Sequence, residues 1–200
     1  MTRVTYDRIA RLYDLLDLPF ERWRYRPLRK KLFEGAQGRV LDAGCGTGRN
    51  FAYYPPGSEV VGVDLSPVML ARAERRRARL GLSIPLLKMD ICQTSFADGA
   101  FDVAVASFLF CVLPNDLQLA ALSEIKRILK PGGEIRLLEY TWSDDPFRRR
   151  IMRLWEPWVR WAYGAGFDRQ TRRFVREAGF RDIGETFLYA DIIKLIRARK

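Results

Sequence analysis

A glycine-rich turn is the part of the sequence best suited to hold a ligand. Leu41-Asp42-Ala43-Gly44-Cys45-Gly46-Thr47-Gly48 places three glycines at alternate positions directly after a short apolar run. Glycine permits a tight turn and lets the backbone approach a ligand closely, and the start of a helix favours negative charge. The pattern therefore predicts a strand that opens into a nucleotide-binding turn.

The spacing of neighbouring residues narrows the choice of nucleotide. The dinucleotide-binding pattern requires a glycine three positions after the second one, but that position is Arg49, and the third glycine comes one residue early, at Gly48. Asp64 follows Gly44 by twenty residues and ends the next predicted strand. An acid at this position accepts hydrogen bonds from the ribose hydroxyls of a nucleotide and disfavours a 2′-phosphate. A nicotinamide-dependent oxidoreductase is therefore the weaker interpretation.

A second acid ends the third predicted strand, in Met89-Asp90-Ile91. Asp90 could accept a hydrogen bond from an adenine amino group, and Leu65 and Ile91 could enclose the ring. The alternative is that Asp90 only caps the turn that follows it.

These motifs, with Phe101–Ser107 and Leu129-Lys130-Pro131-Gly132-Gly133, resemble in order the motif series of class I S-adenosylmethionine (SAM) methyltransferases. The resemblance covers residues 38–140. It implies an α/β, doubly wound, Rossmann-like fold whose seven-stranded sheet has the order 3-2-1-4-5-7-6, with strand seven antiparallel. It also implies SAM as the cofactor, with its methionine portion at the glycine turn, its ribose at Asp64 and its adenine at Asp90 and Ile91. Asp42 would orient the glycine turn or reach the ligand's ammonium group. The cofactor-binding residues expected on this basis are Asp42, Gly44, Cys45, Gly46, Gly48, Asn50, Asp64, Leu65, Met69, Asp90, Ile91, Ser107 and Phe108.

Two subfamilies are also similar to this sequence. The segment from Tyr6 to Asp14 resembles the entry segment of quinone-biosynthesis and bacterial phospholipid N-methyltransferases, whose tyrosines close over the cofactor, so Tyr6 and Tyr13 are candidates for that role. The animal alkyl-thiol S-methyltransferases resemble this chain in Asn50-Phe51, Tyr54-Pro55-Pro56-Gly57, Leu109-Phe110-Cys111-Val112 and Trp155-Glu156-Pro157-Trp158. Neither similarity identifies the methyl acceptor.

The chemistry of methyl transfer limits the acceptor. A neutral amine or a thiolate needs little besides positioning in line with the methyl group, whereas a hydroxyl usually needs a base or a metal. The sequence contains no histidine, which excludes a histidine base and a histidine-containing zinc site, and we expect no metal. Glu139 and Tyr140, at the end of the fifth predicted strand, are expected to orient the acceptor. Cys45 and Cys111 are interpreted as small buried apolar side chains rather than nucleophiles.

The apolar loop Ser107-Phe108-Leu109-Phe110 indicates a lipophilic acceptor. Methyltransferases that act on the exocyclic amines of bases carry Asn/Asp-Pro-Pro-aromatic at this place, so a nucleic-acid partner is not expected.

The net charge of +11 indicates an anionic partner, unless the arginines only solvate helices. Residues 1–31 carry nine Arg or Lys and four Asp or Glu among aromatic residues, and aromatic residues and arginines recur at 147–163. Basic amphipathic segments of this kind bind membrane interfaces, with Arg22, Arg24, Arg26 and Arg29 as candidate contacts. The alternative is that the aromatic residues cover the sheet and the active site.

The function expected from these observations is SAM-dependent methylation of a small lipophilic or membrane-associated acceptor, either a thiol or a phospholipid amine. The protein would be cytoplasmic and peripheral at the inner face of the membrane. The alternatives are a quinone-precursor methyltransferase and a non-catalytic, membrane-bound cofactor sensor.

The elements that must position these residues alternate between strand and helix, which predicts a parallel sheet covered on both faces. We expect a single domain over 1–200: a helical lid (1–36), a cofactor-binding core (37–140), and acceptor-side helices with a terminal strand pair (141–200). Strands are predicted at 39–42, 59–64, 84–89, 101–107, 133–140, 181–189 and 191–198. Helices are predicted at 4–18, 21–33 (interrupted by Pro27), 47–54, 67–80, 114–130, 145–162 and 168–178.

Overall fold

Seven strands form one mixed sheet in the computed structural model, which describes residues 25–200. The spatial order is β3-β2-β1-β4-β5-β7-β6. The strands are β1 (Arg39–Ala43), β2 (Glu59–Asp64), β3 (Leu86–Lys88), β4 (Phe101–Ser107), β5 (Leu129–Tyr140), β6 (Arg181–Tyr189) and β7 (Ile193–Arg199). Strands β1 to β5 pair in parallel, and β7 is antiparallel to both β5 and β6. The predicted fold class and strand order are confirmed.

Five α-helices accompany the sheet within the described residues: α1 (Arg26–Phe33), α2 (Pro67–Arg79), α3 (Asn115–Ile128), α4 (Pro146–Tyr163) and α5 (Thr171–Glu177). Two of them begin with a capping side chain followed by proline. Ser66 accepts a hydrogen bond from the Met69 amide at the start of α2, and Asp145 accepts one from the Arg148 amide at the start of α4. These caps satisfy amides that lack a partner in the first helical turn.

The hydrophobic core lies on both faces of the sheet. On one face, Leu41, Phe101 and Ile135 pack with Leu122 and Ile125 of α3. On the other face, α1 contributes Leu32 and Phe33, which pack with Val40 and Val105. Because both faces are covered, the open edge available for a ligand is the one where the parallel strands β1, β2 and β4 end.

Several predicted boundaries are wrong. Of the predicted helix at 21–33, α1 covers Arg26–Phe33 and residues 21–24 lie outside the described residues; Pro27 lies in the first turn of α1, where a missing amide is tolerated. The predicted helix at 47–54 is a turn followed by a three-residue 3-10 helix, Phe51–Tyr53. Helix α3 ends at Ile128, and Lys130-Pro131-Gly132-Gly133 belongs to β5, where the register with β4 shifts. The predicted helix at 4–18 lies outside the described residues.

Candidate active site

The glycine turn after β1 has one position that faces open space. Gly44, Gly46 and Gly48 all have positive φ angles, of 68°, 56° and 79°. A Cβ added to Gly44 would lie 2.8 Å from Leu109 Cδ1, and one added to Gly48 would lie 2.5 Å from Phe51 Cε2. A Cβ at Gly46 would meet no atom within 4 Å. Two glycines therefore allow close packing within the protein, and Gly46 leaves room for a ligand.

Asp64 at the end of β2 holds this turn in place. Its Oδ2 accepts a hydrogen bond from the Gly46 amide at 2.8 Å, and its Oδ1 accepts one from the Ser66 amide at 2.9 Å. Burial raises the pKa of Asp64, against the effect of these amides. Each carboxylate oxygen has a second lone pair, so the side chain can accept further hydrogen bonds from a ligand.

A buried polar network lies behind the turn. The two carboxylate oxygens of Asp42 accept hydrogen bonds from Asn50 Nδ2 at 2.9 and 3.0 Å, and Oδ2 also accepts one from the Tyr54 hydroxyl at 2.7 Å. Burial raises the pKa of Asp42 to about 6, and the hydrogen bonds from Tyr54 and Asn50 and the charge of Arg29 oppose that rise. Asp42 is thus hydrogen-bonded to Asn50 after the turn, and its two predicted roles, orienting the turn or reaching the ligand's ammonium group, stay predictions.

Arg29 of α1 completes the network and was not predicted to belong to the site. Its Nη1 donates to Asn50 Oδ1 at 2.7 Å and to Ser107 Oγ at 2.9 Å, and its guanidinium lies 5.6 Å from the centre of the Phe108 ring. Arg29 is buried, so its assignment as a membrane contact is wrong. Arg26 is exposed, and Arg22 and Arg24 lie outside the described residues. The sequence does contain a signal for the burial of Arg29, because this residue lies on the apolar face of α1 with Leu28, Leu32 and Phe33.

The residues predicted to enclose adenine differ in exposure. Leu65 is 48% exposed beside the turn, whereas Ile91 and Met69 are buried. Asp90 is exposed, and its Oδ1 accepts a hydrogen bond from the Cys92 amide at 2.9 Å. The turn-capping role of Asp90 is therefore present, and its exposed carboxylate is also accessible to a ligand.

The loop after β4 is held by a buried acid. Glu139 on β5 accepts hydrogen bonds from the Phe110 amide at 3.0 Å and the Cys111 amide at 2.7 Å. Burial raises the pKa of Glu139 to about 8, against the effect of these amides. Phe108 in the same loop has a φ of 57°, an unfavourable left-handed conformation for a bulky residue. The carboxylate of Glu139 thus contacts loop backbone.

Five aromatic residues form a cluster next to this loop: Tyr25, Phe108, Tyr140, Trp142 and Phe167. The ring centre of Phe108 lies 5.2 Å from that of Tyr25 and 5.0 Å from that of Tyr140. Phe167 lies 5.8 Å from Tyr140 and 5.3 Å from Trp142, measured in the same way. The hydroxyls of Tyr25 and Tyr140 are hydrogen-bonded to each other. The predicted residues Tyr140 and Phe108 therefore meet in an apolar, aromatic environment, which we call the aromatic cluster.

The remaining predictions concern the two cysteines, a metal site and the two N-terminal tyrosines. Burial raises the pKa values of Cys45 and Cys111 well above their ordinary range, which keeps the thiols protonated and supports their interpretation as packing residues. Among the described residues, no group of three or more acidic or cysteine side chains is arranged to hold a metal ion. Tyr6 and Tyr13 lie outside the described residues.

The residues at this edge fit SAM. Gly46 leaves space at the turn, Asp64 can accept hydrogen bonds from a ribose, and Leu65 has an exposed apolar side chain that can contact a ring. Asp42 and Asn50 supply buried polar groups behind the turn, and half-buried Ser107 is hydrogen-bonded to them through Asn50.

Comparison with known proteins agrees with this geometry. Residues 40–133 match the family model described as a methyltransferase domain. The chain is 39% identical over 143 residues to a demethylmenaquinone methyltransferase from Thermus thermophilus, covering 68% of this chain and 64% of the relative. It is 33% identical to a phosphatidylethanolamine N-methyltransferase from Cereibacter sphaeroides, covering 67% of this chain and 68% of the relative. It is 31% identical to a human thiol S-methyltransferase, covering 74% of this chain and 63% of the relative.

A solved SAM-dependent methyltransferase from Thermotoga maritima has the same fold, with a TM-score of 0.75 and 22% identity over the full length of both chains. The chain spans 64% of the length of the Thermus relative. The topology, the site and these similarities together show that the chain belongs to the class I SAM-dependent methyltransferases, whose cofactor is the one predicted from the sequence.

Proposed function

We propose that the protein transfers a methyl group from SAM to a small lipophilic acceptor, either a thiol or a phospholipid amine, that reaches it from an anionic membrane surface. The observation that carries this proposal is the aromatic cluster beside the glycine turn. Leu109, in the loop that carries Phe108, packs directly on Gly44, so the cluster and the cofactor turn are neighbours. An acceptor within the cluster would lie next to the bound cofactor.

When bound, SAM supplies an electrophilic methyl group on a positively charged sulfur. The aromatic faces of Phe108 and Tyr140 favour a cationic or apolar group and exclude water, which suits an amine or thiol acceptor. Asp64 and the Asp42–Asn50 pair hold the turn, and Glu139 holds the loop that carries Phe108. A thiolate or a neutral amine would form the new bond with its lone pair while the carbon–sulfur bond breaks and S-adenosylhomocysteine leaves. The proton of the thiol would be lost to water before transfer and that of the methylated amine after it, so no enzyme nucleophile is needed. The chain contributes positioning, which can supply roughly 7–11 kcal/mol of the barrier.

Glu139 and Tyr140 take different roles in this proposal. Both oxygens of Glu139 contact loop amides, so it acts as a positioning residue. Tyr140 presents its ring to the aromatic cluster and its hydroxyl to Tyr25, so it is the better candidate for direct contact with the acceptor.

A second candidate acceptor is the ring of a quinone precursor. The similarity to the Thermus demethylmenaquinone methyltransferase favours it, because that relative is 39% identical to this chain. A non-catalytic cofactor sensor would share the same turn and differ only in lacking turnover.

The test is to incubate the purified protein with methyl-labelled SAM and three acceptors in parallel: a medium-chain alkyl thiol, phosphatidylethanolamine vesicles and a demethylated quinone. Label transferred to the thiol or the lipid is the expected result, and Asp64→Ala, with its weakened cofactor binding, should transfer less label when SAM is limiting. Transfer to the quinone alone would replace the proposed acceptor class. Cofactor binding without transfer to any acceptor would indicate a sensor.

A further inference from the structure

Helix α4 exposes its apolar side chains to solvent. Five large apolar residues follow one another at intervals of four, three, four and three, which places them in one row along the helix. Trp155 lies beside this row and is 59% exposed. The row consists of Phe147 (73% exposed), Ile151 (41%), Leu154 (76%), Trp158 (41%) and Trp161 (77%).

The opposite face of α4 packs on the protein and is less apolar than the exposed face. Arg149, Met152, Glu156 and Val159 are half-buried there, and the Arg149 guanidinium lies 5.7 Å from the Trp142 ring centre. A surface helix ordinarily turns its apolar stripe toward the core. In α4 the arrangement is reversed, because every side chain of the row is between 41% and 77% exposed. Contiguous exposed apolar surface of this kind marks an interaction site.

The charge around the row indicates what it binds. Helix α4 contains five arginines and one acid, Glu156. Arg150 and Arg153 are exposed and make no ion pair with another residue of the described part of the chain, whereas Arg148 and Arg160 pair with Asp191 and Asp168. Tryptophan and arginine beside aliphatic residues match the boundary between lipid headgroups and acyl chains.

The position of α4 connects this surface with the aromatic cluster. The chain leaves the cluster at Trp142, passes through α4, and returns to it at Phe167. The return is fixed by hydrogen bonds from the Gly166 amide and Arg169 Nε to the Cys111 carbonyl, in the loop after β4. A lipid surface beneath α4 would therefore lie at the border of the cluster.

We propose that α4 docks on an anionic lipid surface through the row Phe147, Ile151, Leu154, Trp158 and Trp161, with Arg150 and Arg153 contacting acidic headgroups. Docking in this orientation presents the aromatic cluster to an acceptor dissolved in the bilayer. This last step rests on the proposed function, whereas the docking itself does not. Within the described residues, no helix is long and apolar enough to cross a membrane, and the docking surface lies along the helix instead.

The test is flotation of the full chain with vesicles of phosphatidylcholine alone or with phosphatidylglycerol added. We expect strong binding to the anionic vesicles at low salt and weak binding to the neutral ones. Binding should fall as salt rises, because the Debye length shrinks from about 10 Å at 0.1 M to about 3 Å at 1 M. The paired change Leu154→Ser and Trp161→Ser should weaken binding by about tenfold or more, since it removes two large apolar contacts. Arg150→Gln with Arg153→Gln should reduce binding to anionic vesicles specifically.

Matched controls lie elsewhere on the surface. Leu117→Ser removes an exposed leucine from α3, and Arg176→Gln with Arg199→Gln removes the same charge outside α4; both should bind like the unmodified chain. If the Leu154/Trp161 variant floats as well as the unmodified chain, or if the unmodified chain ignores anionic vesicles, the proposal is wrong. Loss of a dimer in that variant, with no vesicle binding by the unmodified chain, would assign the row to contact between copies. Methylation of a water-soluble thiol by the same variant tests the proposed function separately.

Discussion

Arg29 donates a hydrogen bond from Nη1 to Asn50 Oδ1 at 2.7 Å, and this contact joins the helix before β1 to the turn after it. The same Nη1 donates to Ser107 Oγ at the end of β4, and Asn50 donates to Asp42 at the end of β1. One buried cation therefore organises the polar groups behind the glycine turn.

Replacing Arg29 with glutamine should damage both folding and cofactor binding. Removing one partner from a buried charged network costs about 3–5 kcal/mol of unfolding free energy. Loss of a charge-assisted hydrogen bond near the turn should weaken S-adenosylhomocysteine binding by roughly 1.5–3 kcal/mol. Urea unfolding and calorimetry measure the two effects. Arg26→Gln is the control, because Arg26 is exposed three residues earlier in the same helix. Equal behaviour of the two variants would contradict the network.

Gly46→Ala should show whether the ligand occupies the open space beside Gly46, as distinct from the strain that alanine places on the turn. Alanine at a positive φ costs about 1 kcal/mol of stability, and a Cβ at Gly46 would enter the open space beside the turn. Gly57 is the matched control, because it also has a positive φ and an added Cβ there meets nothing within 4 Å. We expect similar losses of melting temperature in Gly46→Ala and Gly57→Ala, with weakened cofactor binding only in Gly46→Ala. Normal binding by Gly46→Ala would mean that the ligand lies elsewhere.

Asp64→Ala should weaken cofactor binding by roughly 1.5–3 kcal/mol, the range for hydrogen bonds to a charged group. The sequence alone suggests that folding would be nearly unaffected, but the hydrogen bonds from the Gly46 and Ser66 amides show that the turn also depends on this carboxylate. Asp64→Asn keeps one acceptor oxygen and should lose less stability. Calorimetry combined with thermal unfolding distinguishes these contributions, and unchanged affinity in both variants would exclude Asp64 from the site.

Glu139 should make the stability of the protein depend on pH. Burial raises its folded-state pKa to about 8, above the ordinary value of 4.5, so the folded protein holds a proton that the unfolded chain releases. The stability contributed by that proton is complete below about pH 4.5 and is lost as pH rises to about 8. Glu139→Gln removes this titration, so the unmodified chain should lose stability relative to the variant between pH 5 and 8. Parallel urea unfolding at several pH values measures the difference; a constant difference would show that Glu139 does not titrate in this window.

Tyr140→Phe should raise the KM for the acceptor with little change in cofactor affinity. The substitution removes the hydroxyl that pairs with Tyr25 but keeps the ring that contacts Phe108 and Phe167. Tyr140→Ala should lose more activity, since it removes the ring as well. Tyr53→Phe, which loses a hydroxyl near exposed Arg26, is the control. The steady-state KM for the acceptor and for SAM gives the result, and a change confined to the KM for SAM would place Tyr140 on the cofactor side.

Much of the fold and of the cofactor edge follows from local patterns in the sequence. The glycine turn and Asp64 come directly after buried strands, and parallel pairing brings strand ends together, so their proximity was predictable. The role of Arg29 was not predictable, because an arginine in a basic segment is ordinarily solvent-exposed. Its burial depends on partners after β1 and at the end of β4, which the local sequence does not show. The extension of β5 back to Leu129 was not predictable either, because it depends on pairing with a distant strand. Leu129 pairs with Phe101 and Glu134 pairs with Val103, and the residues between them form an irregularity in which Gly132 has a φ of 75°. The aromatic cluster depends on residues more than a hundred positions apart, which no local spacing reveals.

The exposed row on α4 also has a consequence for laboratory evolution of this protein. Exchanging Leu154 and Trp161 for polar residues would raise solubility at little cost to the folded state, because these two side chains are 76% and 77% exposed. A screen for expression yield or for a clear lysate would therefore select polar residues at these positions within a few rounds. Variants selected in that way would keep their affinity for SAM and would be poor starting points for any study of how the enzyme meets its acceptor.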